Sequence, residues 1–301
     1  MDNVAAVINL AAGSSGLFDV ETLDAQIKAA LGPNAKVEIR PAQPGEVESA
    51  LKWAFESGAS SVLIVGGDGT ARSAASLAME TKIPMIPLPG GTMNVLPKLV
   101  FGHADLKRAI EELPTLKLAH MDVGRAANEP FFLTFAVGVA GSLAKFRESM
   151  RPPRDWNEVA SSALGAAGAM GAAYRGRIDW SADGRKMRPA QSLVVAVGGF
   201  SRVLSPETPN DDNDHQLQAA ALRLRSHWDM VRFGAHALTG NWRQAKNVQL
   251  IETQVIDLAL GSRRPLVVLD GEPMRLAKVD QLRLDRGALP VMALPQAPAA
   301  A

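Results

Sequence analysis

The chain has 301 residues, of which 47% are hydrophobic and 21% charged, with a net charge of +1 and no cysteine. This is the composition of a globular protein with ample core. It excludes disulfides, thiolate metal sites and a cysteine nucleophile, and it suits a cytoplasmic protein.

The start, Met1-Asp2-Asn3, lacks a signal-peptide pattern, and the longest uncharged run, Val159 to Tyr174, is short and weakly apolar for a membrane span. Charge is unevenly spread. Residues 1–122 hold 10 Lys+Arg against 14 Asp+Glu, a net −4, whereas residues 123–301 carry +5. A solvated surface accounts for most of these charges. The functional alternative is that the second half meets an anionic membrane surface, peripherally and at the inner face.

Taken in order, Val4 to Leu10 reads as a buried strand, followed by a loop of small residues, Ala11 to Gly16. A helix is expected over Val20 to Leu31, started by Asp19 or Glu21 and stopped by Gly32-Pro33. Lys36 to Arg40 reads as a second strand and Glu46 to Ser57 as a helix, with Val47, Ala50, Leu51, Ala54 and Phe55 at helical spacing. Val62 to Val65 is wholly apolar, as in a strand of a parallel sheet covered on both faces. It runs into Gly66-Gly67-Asp68-Gly69-Thr70, with a helix expected from Ala71 to Met79. Ile83 to Leu88 is another apolar run, opening into Pro89-Gly90-Gly91-Thr92-Met93-Asn94.

Strand, glycine turn and helix in that order aim backbone N–H groups and a positive helix end at an anion. Glycines let the backbone approach a phosphate. Two such turns after consecutive strands are expected to face one crevice, at the carboxyl edge of a doubly wound parallel sheet. Asp68 has no role in simple anion binding, because a carboxylate repels phosphate; a magnesium ion or a proton to be removed would explain it. Arg72 either binds phosphate or lies on the wet face of its helix.

Past an amphipathic helix, Asp105 to Leu113, the pattern becomes strand-rich, and a domain boundary is placed near Asp122. Strands are expected at Leu118–Arg125 and Phe131–Val139, and a helix of small residues at Trp156–Tyr174. That helix either packs closely on a sheet or forms the wall of a lipid cleft with Arg147, Arg151 and Arg154 nearby. A hairpin turns at Ala182-Asp183-Gly184. Further strands fall at Leu193–Val197, Leu217–Leu224, Val248–Leu260 (one or two) and Pro265–Leu269, with a helix at Trp228–Leu238. Met274–Val279 pairs with Pro265–Leu269 across Asp270-Gly271-Glu272, and Leu282–Leu284 and Leu289–Leu294 read as two last strands. The five histidines show no metal spacing, and no nucleic-acid module is visible, so no nucleic-acid partner is expected.

GGDGT followed about 20 residues later by P-x-P-G-G-T-x-N resembles the catalytic domain of the diacylglycerol kinase family, which includes bacterial lipid kinases and the sphingosine and ceramide kinases. GGDGT is shared with NAD kinases and phosphofructokinases; the G-T-x-N element narrows the likeness to the lipid-kinase side. The resemblance implies a Rossmann-like three-layer α/β nucleotide-binding domain over 1–122, with 288–296 docking back on it. It implies a β-rich, β-sandwich-like acceptor domain over 123–287; the tail 297–301 is expected to be disordered.

The implied activity is transfer of the γ-phosphoryl group of ATP, with Mg²⁺, to a lipid hydroxyl. The nucleotide would lie across Asn9 and Gly13, then Gly66, Gly67, Asp68, Gly69 and Thr70, then Thr92 and Asn94. Asp270 and Glu272 are the family's second catalytic element, returning to the nucleotide as general base and magnesium contact, with Asp68 on the magnesium–nucleotide side. The two assignments are interchangeable at this stage. A structural magnesium site would use Asp214 with carbonyls of Asp211 and Gln216. The chain departs from the family pattern at Leu10, Arg72, Ser73, Val95, His215 and Gln218. A kinase for NAD or a sphingoid base, and a non-catalytic lipid- or nucleotide-binding homologue, stay open as alternatives. So does a homodimer.

Overall fold

Val4 to Ile8 carries no charge and is buried throughout, the mark of a strand covered on both faces, and forms most of β1 (Asn3–Asn9). The structure is a computed structural model and describes residues 3–12, 19–138, 176–200, 215–224, 229, 245–261 and 265–295. The chain divides into two compact units, Met1–Val123 with Asp285–Ala301, and Gly124–Val203 with Asp212–Leu284.

In the first unit, α1 (Val20–Leu31) starts where the Asp19 carboxylate accepts the Thr22 N–H and stops at Gly32, whose φ of +85° a side chain would resist. Strand β2 (Lys36–Ala42) follows. It reaches two residues beyond the expected end because Pro41, which cannot donate to a ladder, is tolerated on a sheet edge. Next come α2 (Val47–Glu56), β3 (Ser61–Gly66), α3 (Asp68–Thr81) and β4 (Met85–Pro89). The strands are parallel in the order β2-β1-β3-β4. Helix α2 packs on β1 and against α3, while α1 packs against α5 (Leu106–Glu112), which lies on β4. Helices thus sandwich a parallel sheet in a doubly wound α/β domain of three layers.

The short α4 (Val95–Phe101) follows the second glycine turn. Residues 285–293 return to this unit at the end of β16 (Gln281–Ala293), where Val291 pairs with Met85 of β4. What reads as two last strands is one. Gly287 bends it at φ +54° without breaking it, and its N–H donates to the buried Asp122 carboxylate at 2.7 Å.

The second unit is β-rich. Strand β5 (Lys117–Ala126), of which only the last three residues belong to this unit, turns into β6 (Glu129–Phe131), and β7 (Thr134–Gly138) is separate from β6. The expected single strand Phe131–Val139 is therefore split at 132–133. Strand β8 (Asp179–Ala182) turns at Asp183-Gly184, both with positive φ, into β9 (Arg185–Lys186). Then come β10 (Ser192–Val197), β11 (Leu217–Leu222), β12 (Val248–Thr253), β13 (Val255–Ala259), β14 (Leu266–Leu269) and β15 (Glu272–Arg275).

Among the described residues, β12-β11-β10-β7-β14-β15 form an antiparallel sheet, and β13 lies between β8 and the first residues of β16 in another. The run Val248 to Leu260 thus supplies one strand to each sheet, parted at Gln254. Phe131, Phe135, Trp180, Leu193, Leu217 and Ile256 belong to one buried core drawn from both sheets, which makes the unit β-sandwich-like. Among the described residues no helix is long and apolar enough to cross a membrane.

Candidate active site

The register of the parallel sheet brings three loops to one edge. Ile8 of β1 sits beside Val65 of β3, and Gly66 sits beside Pro89 of β4. Asn9, Gly66-Gly67 and Gly90-Gly91 therefore leave the carboxyl ends of adjacent strands.

The two glycine turns touch backbone to backbone. A Cβ on Gly91 would lie 2.6 Å from Gly67 Cα, and one on Gly90 would lie 2.8 Å from Gly66 N. A Cβ on Gly66 would meet the Thr70 side chain at 2.8 Å. These glycines are required by the packing of one turn against the other. Gly69 is different. It is exposed in the first turn of α3, and a Cβ there would meet nothing within 4 Å. The fold gives no steric reason for glycine at 69, and the space before it is open to a ligand.

Helix α3 begins at Asp68, three residues before the expected start, because Gly67 adopts the extended N-cap conformation (φ −81°, ψ −179°) and brings Asp68-Gly69-Thr70 into the first turn. Gly67 offers no side chain to cap the helix. The first-turn N–H groups, which have no partner within a helix, are left to solvent or an anion.

Side chains tie the turns together. Asp68 Oδ1 accepts the Val95 N–H at 2.7 Å and Oδ2 the Asn94 N–H at 3.0 Å, so the GGDGT aspartate caps α4 across space. Asn94 adopts a left-handed conformation (φ +50°); its Oδ1 accepts the N–H of Gly90 and Gly91, and its Nδ2 donates to the Gly91 carbonyl at 2.8 Å. Its side chain thus shapes its own turn. Asn9 Nδ2 donates to Thr70 Oγ1 at 2.8 Å while its Oδ1 accepts the Ala11 N–H, joining the first loop to α3. Thr92 stands exposed. Arg72 is buried at 6% exposure, which rules out the wet helix face.

In the second unit, Asp270 and Gly271 make the tight turn between β14 and β15, with φ of +51° and +91°. Asp270 is buried, and its Oδ1 accepts the N–H groups of Phe132 (3.2 Å), Leu133 (2.8 Å) and Thr134 (2.9 Å), with Oδ2 at 3.0 Å from Phe132 N. This is why β6 and β7 part at 132–133: the carboxylate takes the N–H groups that a continuous ladder would use. Glu272 opens β15, half-buried. Gln216 directs its carbonyl to the Gly198 N–H at 3.0 Å.

Gly13, Asp211 and Asp214, the segment 145–174 with its three arginines, and the expected helix at 228–238, save Asp229, lie outside the described residues. Among the described residues no group of three or more His, Asp or Glu side chains is placed to hold a metal ion. Gly90 and Gly91, expected only as part of the second glycine turn, are shown by the structure to pack directly on Gly66 and Gly67. Their signal in the sequence was the Pro-Gly-Gly after an apolar run.

In doubly wound α/β folds, ligands bind in the crevice at the carboxyl ends of the strands, which is where the paired glycine turns of this unit lie. Residues 3–126 match the family model of the diacylglycerol kinase catalytic domain. The fold is shared with solved structures from Bacillus anthracis. One, a diacylglycerol kinase, is 15% identical with a TM-score of 0.65, covering 100% of this chain and 98% of that one. Another, provisionally assigned as a diacylglycerol kinase, is 18% identical with a TM-score of 0.68, covering 100% of this chain and 97% of that one. At such identity the likeness is one of fold. Residues 3–126 are thus similar to the diacylglycerol kinase catalytic domain, and the chain as a whole shares the fold of these solved structures.

Proposed function

We propose that this protein is an ATP-dependent kinase that phosphorylates a lipid hydroxyl. The observation that carries the reading is the first turn of α3: an N-terminus without a side-chain cap, fronted by open space at Gly69, inside the match to a kinase catalytic domain. A phosphate fits there, because the N–H groups and the positive helix end supply what an anion needs. Gly67, Gly69 and Thr70 would hold the nucleotide phosphates, with exposed Thr92 beside them and Asn9 and Gly13 in the first loop. Asn94 would act by fixing the second turn.

Mg²⁺ is the expected counter-ion of the phosphates. Such ions are commonly held by one or two carboxylates together with the substrate phosphates, so the lack of a carboxylate cage among the described residues is compatible with it. Asp68 keeps lone pairs beyond its two N–H bonds for that purpose. Phosphoryl transfer asks mainly for positioning and charge stabilisation. The acceptor hydroxyl must also lose a proton. We assign that to Glu272 rather than Asp270, whose carboxylate is engaged with three backbone N–H groups. Contact with the membrane that holds the lipid would be peripheral.

The test is transfer of labelled γ-phosphate from ATP to a total lipid extract in detergent, wild type beside Glu272→Gln. A labelled lipid lost in the variant supports the kinase and identifies the acceptor class. No labelled lipid, with NAD labelled instead, would move the assignment to an NAD kinase. ATP binding without any transfer would favour a second reading, a nucleotide-binding homologue, which the structural engagement of Asp68 and Asp270 also accommodates.

A further inference from the structure

The asparagine that ends β1 is held at both ends of its side chain. Asn9 Oδ1 accepts the Ala11 N–H at 3.0 Å and the Asn9 carbonyl accepts the Ala12 N–H at 3.2 Å, so the chain turns as it leaves the sheet. An N–H aimed at one end of the amide makes that end the oxygen. The other end, Nδ2, is therefore the donor that meets Thr70 Oγ1 at 2.8 Å. These partners stand 61 residues apart in the chain. The sheet register closes the distance, since Ile8 lies beside Val65 at the edge from which α3 departs.

Thr70 is buried in the first turn of α3, with its side chain pressed against Gly66. A Cβ on Gly66 would lie 2.8 Å from Thr70 Cβ and 3.1 Å from its Oγ1. Ser76 and Thr81 of the same helix donate their hydroxyl protons to the carbonyls of Arg72 and Leu77. Thr70 differs. Its Oγ1 is an acceptor, from Asn9, and among the described residues no group accepts its proton. A donor on one side of a hydroxyl oxygen turns the hydroxyl's own proton to another side, and the bond it accepts makes it a better donor. That proton sits in the first turn of a helix whose N–H groups and positive end already suit an anion.

We propose that Asn9 is a positioning residue: through its bond to Thr70 it aims the Thr70 hydroxyl proton at a nucleotide phosphate held at the start of α3. This role rests on the nucleotide reading above and changes the part of Asn9 within it, from a group that touches the nucleotide to one that acts through Thr70. A hydrogen bond to a charged oxygen is worth about tenfold or more in affinity. Thr70 makes that bond, and Asn9 holds the threonine to one donor direction.

Calorimetric titration of the full chain with ATP and Mg²⁺ tests this as a double-mutant cycle. Thr70→Val removes the hydroxyl and keeps the branched shape. Asn9→Ser keeps a hydroxyl that can close the turn on Ala11 but is too short to reach Thr70. Thr70→Val should bind ATP about tenfold or more weakly, and Asn9→Ser about threefold to tenfold. Thr70→Ser, which restores the hydroxyl, should bind nearly as wild type does. The double variant should bind no more weakly than Thr70→Val, because Asn9 then has nothing to position. Thermal unfolding without ATP follows the fold of each variant. If Asn9→Ser does not fold, Asn9→Asp, which keeps the acceptor for Ala11 and lacks the donor, replaces it, and its effect should shrink beside Thr70→Val. Equal loss from the Asn9 variant in both backgrounds would make Asn9 a separate contact or a support of its loop, and unchanged affinity would give it no part in binding; either overturns the proposal. A wild type that binds no ATP removes the nucleotide site itself, and the proposal falls with it; that result is distinct because it appears before any variant is compared.

Discussion

The carboxylate of Asp68 accepts the backbone N–H of Val95 at 2.7 Å, joining the first turn of one helix to the first turn of another that begins 27 residues later. An aspartate that reads as a ligand for magnesium is therefore also a helix cap. Replacing Asp68 with alanine leaves the Asn94 and Val95 N–H groups without their acceptor, and should cost about 1–2 kcal/mol of stability. Asp68→Asn keeps one acceptor oxygen and should cost less. Urea unfolding of both variants checks the order; equal stability of Asp68→Ala and wild type would remove the structural role.

The glycines of the two turns should separate into classes. Gly91→Ala would put a methyl group 2.6 Å from Gly67 Cα, a distance that forces the turns apart, and should lower stability by about 1–3 kcal/mol. Gly69→Ala meets no protein atom and gains about 0.5–1 kcal/mol of helix propensity. Its methyl group would occupy the proposed phosphate space. Thermal unfolding beside ATP titration should show a stable Gly69→Ala with weakened nucleotide binding. Undiminished ATP affinity would displace the phosphates from that turn.

Asp270 and Glu272 should part in the same way. Asp270→Asn tolerates the left-handed backbone but retains only one acceptor oxygen against the N–H groups of Phe132, Leu133 and Thr134, so a loss of about 1–3 kcal/mol is expected. Glu272→Gln should lose phosphoryl transfer by more than its change in stability accounts for. A Glu272→Gln that keeps full transfer, or an Asp270→Asn as stable as wild type, would contradict the division of roles.

Asp257 provides a pH test away from any catalytic group. Side-chain hydrogen bonds from Gln281, and then Ser181, hold its carboxyl below its ordinary value. A carboxyl lowered on folding stabilises the protein above its unfolded value and loses that contribution as pH falls through the folded value. The loss should therefore fall at and below about pH 4, since an unperturbed aspartate titrates near 3.9. Unfolding measured across this range should be less pH-dependent in Asp257→Asn than in wild type. Parallel profiles would mean the group is unperturbed.

Much of this was legible in the chain itself. Asp19 with Gly32-Pro33 marked α1 from end to end, because capping and helix termination are local chemistry. The uncharged run from Val62 to Val65 declared a strand buried on both faces, and GGDGT with GGTMN marked two adjacent turns. Only the tertiary structure decided what the polar residues of those turns do. Asp68 finds its partners 26 and 27 residues away, and Asp270 finds its own 136 to 138 residues away. Neither spacing has a period that a reader of the chain could recognise. Gly69 and Gly91 look alike in sequence, yet one faces open space and the other a neighbouring backbone. Periodicity and caps act between neighbours in the chain, so the sequence carries them directly. Which donor meets a given carboxylate, and which glycine meets a ligand, depends on how distant segments pack, and packing exists only in the folded molecule.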